Sequence, residues 1–162
     1  MAEQMTVLQL VLDQLQVGND ISTIDDRIAI QKVVCLTQEA GLPLGYSFSW
    51  YVRGPYSPAL ASDYYQIADA KSSVEASARR FVLTPSALNA VGKVAAVLKV
   101  PDDVPLARVY WLELLASIVF LVKRHRLSRA AAGGKIALSK PLLHPYFDRA
   151  WHSLQSAGFS LE

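Results

Sequence analysis

Histidine and cysteine are the residues of this chain best suited to chemistry, and their spacing argues against a reactive site. The three histidines are His125, His144 and His152, and no two lie four residues apart, as two metal ligands on one helix face would. The single cysteine, Cys35, lies in an apolar helical segment, where burial raises the thiol pKa and suppresses its reactivity. We therefore predict surface or capping histidines and a structural cysteine.

Two further patterns resemble catalytic motifs but fail on spacing or context. Residues 132–135 read AGGK, yet a phosphate-binding loop would need glycine at Arg129 and a hydroxyl at Ile136. The adjacent carboxylates at 25–26 and 102–103 fall at an expected helix start and in a loop, without a partner for acid-base work. We expect no catalytic residue, no metal and no cofactor, and hence a protein that is not an enzyme.

A run of basic residues is more informative. No acidic residue lies between Glu113 and Asp148, so a cationic surface there could follow a phosphate backbone or bind an acidic partner. The alternative is a solvated helix end, where cations interact favourably with the helix dipole. Both interpretations stay open, because the charge exceeds what one helix end needs while no aromatics suited to base stacking are interleaved. The candidate nucleic-acid-binding residues are Lys123, Arg124, Arg126, Arg129, Lys135 and Lys140.

The second informative segment is aromatic. Residues 46–56 contain five aromatic side chains next to an expected turn at Arg53-Gly54-Pro55. They could build a corner of the core, which is the default, or present an exposed recognition edge. The candidate protein-interaction residues are Trp50, Tyr51, Arg53 and Tyr56.

These segments must be positioned by a mainly helical chain. Apolar periodicity predicts a first helix around residues 8–15, and Ser22 or Thr23 can cap a second helix that runs to about Ala40. Ser-Pro at 57–58 and Thr-Pro at 84–85 predict two further helix starts.

The remaining segments are predicted to form two further helices, two short strands and two irregular stretches. We expect a buried helix over about 106–124 and a final helix that ends before Gly158. Alternating aromatics and serines predict a strand over 45–52, and a second short strand is expected at 79–83. We read residues 71–78 as a loop or frayed turn, and residues 127–140 as a small, basic segment.

Length and composition limit the class of protein that this chain can be. The chain has 162 residues, of which 52% are apolar, and its net charge of +2 favours one compact domain over disorder. That near-neutral total combines −3 in residues 1–81 with +5 in residues 82–162, so it does not exclude an anionic partner. No basic residue precedes Arg27, and the apolar run at 109–122 is too short to span a bilayer, so we expect a cytoplasmic protein without a membrane segment.

Several motifs together resemble a known family. They are IQKVVCL at 30–36, GYSFSWY at 45–51, GPYSPAL at 54–60 and LSKP at 138–141, followed by Ala150, Trp151 and Leu154. This pattern is similar to that of YwgA-type prokaryotic proteins, which are distantly similar to the Panacea (SocA-like) antitoxin domain. The chain departs from the pattern at Cys35, where that family usually has an aromatic residue.

The resemblance implies a mainly α fold with winged-helix-like elements and a role in toxin neutralisation, regulation or defence. From the composition and the predicted elements, we expect a single domain over residues 1–162, a compact bundle of about six helices with a short two-stranded β element. The expected function is a non-catalytic interaction or regulatory module, antitoxin-like or an accessory component of a prokaryotic defence or toxin-antitoxin system. Its partner would be a toxin, effector or defence-complex subunit, and a homodimer is compatible with the sequence. The alternative is a small nucleic-acid-binding regulator that uses the basic patch at 123–140.

Overall fold

The computed structural model describes residues 2–162 and is mainly helical, with one small antiparallel sheet of two strands. The described part of the chain contains eight α-helices and one 3-10 turn, two helices more than expected. In chain order the elements are α1 (Ala2–Gln14), α2 (Ile24–Glu39), β1 (Ser49–Tyr51), β2 (Gly54–Tyr56), α3 (Pro58–Asp69), α4 (Lys71–Ala78), α5 (Pro85–Ala95), α6 (Arg108–Lys123), α7 (Arg129–Ser139), a 3-10 turn (His144–Tyr146) and α8 (Phe147–Ser156).

The helix starts that were predicted from capping residues are confirmed. The Thr23 hydroxyl accepts a hydrogen bond from the Asp26 amide, and the Asp26 carboxylate accepts one from the Thr23 amide, which forms a capping box for α2. Ser57 and Thr84 cap α3 and α5 through their hydroxyls, each with proline at the first helical position. Local sequence therefore fixes three of the helix starts.

Two segments differ from the sequence-based expectation. Residues 71–78 form α4, which packs against α1 and buries Ala78. Residues 79–83 are not a strand, because the amides of Arg80 and Phe81 donate to carbonyls at the end of α4 and so close that helix. In the basic segment, Ser128 caps α7, whose buried Ala132, Gly133 and Ile136 supply the amphipathic face that the two glycines obscured.

The hairpin is shorter than predicted, and its turn is shifted. Its register is Ser49↔Tyr56, Trp50↔Pro55 and Tyr51↔Gly54, so Val52 and Arg53 form the turn and Gly54 belongs to β2. Residues 45–48 do not join β1, because the Gln38 side chain binds the backbone of that segment. Its amide oxygen accepts from the amides of Leu44 and Tyr46, and its amide nitrogen donates to the Tyr46 carbonyl.

The core is centred on α6, which packs against α2, α7 and α8. Residues 111–121 of α6 are all buried, which explains the apolar run seen in the sequence. α6 and α2 also carry the hairpin, since β2 contacts both helices. Across residues 2–162, no helix has both the length and the apolar character needed to cross a membrane.

Candidate functional site

The hairpin is clamped to α2 by two buried polar side chains. Lys32 Nζ donates to the Pro55 carbonyl at 2.7 Å. Gln31 binds both backbone groups of Ser57, donating to its carbonyl at 3.0 Å and accepting from its amide at 2.9 Å. Both side chains belong to residues that are only 1% exposed, so these bonds replace water for backbone groups that would otherwise be buried without partners. The Gln-Lys pair and the Gly-Pro-Tyr-Ser-Pro segment thus form one structural unit.

A cluster of charges lies beneath the hairpin, and we call Lys32, Arg53, Glu113 and Lys140 the Glu113 cluster. Lys140 Nζ lies 2.8 Å from one carboxylate oxygen of Glu113, and Arg53 Nε lies 3.1 Å from the other. Lys140 Nζ also donates to the Val52 carbonyl at 2.9 Å, so it holds the turn of the hairpin. Within this cluster, Arg53 and Lys140 share the carboxylate of Glu113, while the Lys32 ammonium is bound to the Pro55 carbonyl and is influenced by Glu113 only through its charge.

The pKa of Lys32 reports the electrostatics of this cluster. This pKa is lowered from 10.5 to about 8, mainly by burial and also by the cations of Lys140 and Arg53, while Cys35 and Glu113 oppose the shift. Near neutral pH the Lys32 ammonium is still mainly protonated. The Glu113 cluster therefore carries a net positive charge, although Lys32, Glu113 and Lys140 are all buried.

Gly54 lets the backbone of the hairpin approach α6. Its φ of +91° lies in the left-handed region, and a Cβ there would lie 2.7 Å from Ser117 Oγ and 3.6 Å from Lys32 Nζ. Within the described residues the buried Ser117 hydroxyl has no hydrogen-bond partner. A residue with a side chain at position 54 would push the hairpin away from the Glu113 cluster.

An open cleft lies between the hairpin, α2 and α3, and we call it the tyrosine cleft. It has a volume of about 400 Å³, and its apolar wall includes Ile24 and four tyrosines, Tyr51, Tyr56, Tyr64 and Tyr65. Tyr51 is 47% exposed and makes an edge contact with Tyr56, while Tyr65 is 50% exposed and leans on Tyr64. Large aromatic side chains with half of their surface in solvent are typical of binding surfaces.

The polar part of the cleft wall is cationic. Arg27, Lys32 and Arg53 line the cleft, together with the neutral Gln31, and no aspartate or glutamate is among the lining residues. Arg53 is held from two sides, by Glu113 and by Tyr110, whose ring centroid lies 5.4 Å from the guanidinium carbon. The tyrosine cleft thus combines apolar surface with fixed positive charge.

The structure separates the four predicted protein-interaction residues. Tyr51, Arg53 and Tyr56 all line the tyrosine cleft. Trp50 is not among the residues of its wall. The Trp50 ring stacks on Phe120, with a centroid distance of 6.2 Å, and is half-buried.

The six predicted nucleic-acid-binding residues do not form one free cationic surface. Lys140 in particular is buried, with 4% of its side chain exposed. Lys135 lies over the Trp50 ring, 5.6 Å from its centroid, and Arg126 is exposed. Three of the six cations are paired with carboxylates: Lys140 with Glu113, Arg124 with Glu39, and Arg129 with Asp148.

The candidate nucleophile is enclosed. Cys35 is 2% exposed, and burial, reinforced by the carboxylate of Glu39, raises its thiol pKa to about 12. His125 and His144 pack their rings against Phe120 and Phe147. Among residues 2–162, no group of three or more histidine, cysteine, aspartate or glutamate side chains is arranged to hold a metal ion.

Sequence reasoning missed Lys32, Glu113, Tyr64 and Tyr65 as members of the site. A signal for the first two was present, because each is a single charge within an otherwise apolar helical run. A charge in such a run must find a polar partner when the helix is buried, so each of the two can be predicted to have one, although the sequence does not say which. Tyr64 and Tyr65 carried no comparable signal, because nothing in the local sequence shows which tyrosines of a helix line a cleft.

Comparisons with known proteins add no family to this geometry. No protein-family model matches the chain, and neither curated proteins nor solved structures match it. Its function must therefore be argued from the cleft and the charges around it.

Proposed function

We propose that this protein is a non-catalytic protein-interaction module that binds a partner protein through the tyrosine cleft. The observation that carries the proposal is a cleft of about 400 Å³ with two half-exposed tyrosines, built on a hairpin that buried side chains hold in place. The motif resemblance supports a biological setting for this module: an antitoxin-like or accessory component of a prokaryotic defence or toxin-antitoxin system.

Rigidity is the first reason to favour binding. Lys32 and Lys140 hold the hairpin backbone at Pro55 and Val52, and Gln31 holds Ser57 directly after it. The hairpin is therefore already in one conformation before a partner binds. A preorganised surface loses less conformational entropy on binding, and tyrosine provides large contact area with few rotatable bonds. The cleft volume also falls within the roughly 300–1,000 Å³ of typical ligand sites, enough for a few partner side chains.

The surroundings of the cleft support binding over catalysis. The cleft wall contains no histidine, cysteine, serine, aspartate or glutamate that could act as a nucleophile or general base. Its lysine, Lys32, is held against the Pro55 carbonyl. The winged-helix-like assignment remains part of this proposal, with β1 and β2 as the single wing.

The test combines partner identification with cleft variants. We expect the tagged full-length chain to co-purify from its host with a protein that mass spectrometry identifies and that binds again when both are purified. Tyr51→Ala and Tyr65→Ala should each weaken that binding about tenfold or more, as truncation of an interface aromatic commonly does. Phe81→Ala is the matched control, because Phe81 is an aromatic residue that is 59% exposed and lies outside the tyrosine cleft.

The antitoxin-like role has its own test. If the identified partner arrests growth when expressed alone, co-expression of the wild-type chain should restore growth and the Tyr65→Ala variant should not. The proposed binding function would be contradicted if the chain were recovered alone and monomeric under gentle conditions. It would also be contradicted if Tyr51→Ala, Tyr65→Ala and the control Phe81→Ala all bound the partner equally well.

A nucleic-acid-binding regulator is the second candidate. It is favoured by the exposed Arg126 and by Lys123 and Lys135, which have no carboxylate partner among the described residues. It ranks below the first candidate because Arg124, Arg129 and Lys140 are already paired with carboxylates. A cation that is paired in this way displaces few counterions from a phosphate backbone and so adds little to nucleic-acid affinity.

A further inference from the structure

The charge distribution around the tyrosine cleft indicates what kind of partner segment it takes. All three ionisable groups in the wall other than tyrosine, Arg27, Lys32 and Arg53, are cations. Behind the wall, the single carboxylate of the Glu113 cluster is already shared by Arg53 and Lys140. A cation that is partly removed from water and lacks a counter-charge raises the free energy of the folded protein. Binding of an anion in the cleft would offset that free-energy cost.

Arg53 is oriented to receive such an anion. Its Nε is used by Glu113 and its guanidinium carbon lies over the Tyr110 ring, so the group is held at two points while 41% of the side chain stays exposed. Within the described part of the chain, no protein group accepts a hydrogen bond from its two terminal nitrogens. A carboxylate is the group that the paired donors of arginine bind best among protein side chains.

Arg27 offers a second donor in the wall of the cleft. Its Nη1 donates to the Ile21 carbonyl at 2.7 Å, which anchors the guanidinium at the start of α2. The same wall contains four tyrosines and Ile24. The tyrosine cleft thus combines two guanidinium groups with apolar and aromatic surface.

We propose that the tyrosine cleft binds an acidic segment of the partner protein, with a carboxylate of that segment on Arg53 and an apolar or aromatic side chain among the tyrosines. This inference rests on the proposed function, because it specifies the chemistry of the segment that the cleft takes. Such a segment complements both the charge and the apolar surface of the cleft.

The test uses a random peptide display library as the probe. Peptides are selected on the purified full-length chain, sequenced, and the consensus peptide is synthesised for titration by fluorescence anisotropy. We expect the selected peptides to be enriched in aspartate and glutamate relative to the unselected library. We expect the affinity of the consensus peptide to fall about tenfold with Arg53→Gln, the loss typical of one charge-assisted hydrogen-bond pair.

Two further variants control for charge and for folding. Arg80→Gln removes one exposed positive charge away from the cleft and should leave the affinity unchanged. Arg27→Gln leaves the Glu113 cluster intact and should also weaken binding, so the test remains decisive if Arg53→Gln unfolds. A peptide in which asparagine and glutamine replace the acidic residues should show the same fall in affinity for the wild-type chain as the consensus peptide shows for Arg53→Gln.

The possible outcomes are distinct. Peptides that bind in a Tyr65-dependent way without acidic enrichment would overturn the acidic-segment inference and leave the proposed function intact. A single-stranded oligonucleotide that displaces the consensus peptide and binds more tightly would also overturn it. Failure to select any peptide, or binding that neither Tyr65→Ala nor Arg53→Gln changes, would count against both proposals.

Discussion

Lys140 donates to Glu113 across 2.8 Å, and 4% and 6% of the two side chains are exposed. Because Lys140 follows α7 and Glu113 lies within α6, this ion pair fastens the end of one helix to the middle of another. The same ammonium binds the Val52 carbonyl, so the position of the hairpin depends on the pair. The Glu113 cluster is therefore the structural support of the tyrosine cleft.

Replacement of Glu113 by glutamine tests this dependence. Glu113→Gln leaves its two ion-pair partners, Arg53 and Lys140, without a counter-charge. We expect the free energy of unfolding to fall by about 3 kcal/mol, as it does when one partner of a buried ion pair is removed. Urea denaturation followed by circular dichroism measures the change.

An exposed ion pair provides the control for that variant. In the pair of Arg129 and Asp148, 49% and 85% of the side chains are exposed, so Asp148→Asn should change stability by no more than about 0.5 kcal/mol. Equal effects of Glu113→Gln and Asp148→Asn would show that the Glu113 cluster does not stabilise the fold.

Gly54→Ala should loosen the hairpin. The variant combines a φ of +91° with a Cβ only 2.7 Å from Ser117 Oγ, and we expect it to lower the free energy of unfolding by about 2 kcal/mol. Addition of Ser117→Ala should recover the steric part of that loss, since the hydroxyl has no hydrogen-bond partner among the described residues. Differential scanning calorimetry measures both variants.

Gly92→Ala is the matched glycine control. Gly92 lies inside α5, and a Cβ added there would meet nothing within 4 Å, so alanine at this position should raise stability by about 0.5–1 kcal/mol. A Gly54→Ala variant as stable as wild type would refute the close packing of β2 on α6.

Local signals in the sequence predicted much of the fold. The caps at Thr23, Ser57 and Thr84 identified helix starts because a side-chain hydroxyl satisfies a free amide of the first turn. The sequence did not predict α4, because its own residues are polar and small and its buried contact is made with α1. Tertiary packing thus overrode a weak local preference.

The site was less predictable than the helices. Tyr51, Arg53 and Tyr56 were grouped in the prediction because they are close together in the sequence, and all three line the tyrosine cleft. The Glu113 cluster joins residues from four separate parts of the chain, and no local pattern fixes which charge pairs with which. Lys140 was for that reason assigned to an exposed basic surface, whereas the fold buries it against Glu113.

The lowered pKa of Lys32 predicts a pH dependence of stability. The folded pKa is about 8 and the ordinary value is 10.5, so between these pH values the unfolded chain holds the proton while the folded chain releases it. Stability therefore rises with pH across this window, and the destabilising effect of the buried charge is fully present below pH 8. The rise should be on the order of 3 kcal/mol.

Comparison with Lys32→Met isolates this contribution, because other groups that titrate at high pH are common to both proteins. The difference in free energy of unfolding between wild type and Lys32→Met, measured in urea at several pH values, should shift in favour of wild type as pH rises. A difference that does not vary with pH would mean that the Lys32 pKa is not lowered in the folded state.

Cys35 should be unreactive in the folded protein. Burial raises its thiol pKa to about 12, so the reactive thiolate is scarce near neutral pH and the sulfur is also enclosed. We expect iodoacetamide to label Cys35 only as fast as the chain unfolds, and at the ordinary thiol rate in urea, as followed by mass spectrometry. Rapid labelling of the native protein would contradict this burial and reopen a nucleophilic role.

Salt dependence tests the second candidate function, in which the basic segment binds nucleic acid. If only Lys123, Arg126 and Lys135 are free to meet phosphates, a plot of log K against log salt for duplex DNA should have a slope no steeper than about −3. Charge reversal of Lys123 and Arg126 together should abolish that binding and leave partner binding at the tyrosine cleft unchanged. A slope of about −5 would require that Arg124 and Arg129 leave Glu39 and Asp148 to contact the DNA. The Arg129–Asp148 pair is exposed and therefore weak, whereas Arg124 pairs with Glu39, of whose side chain only 9% is exposed. A slope that requires both pairs to open would restore the nucleic-acid regulator as the leading function.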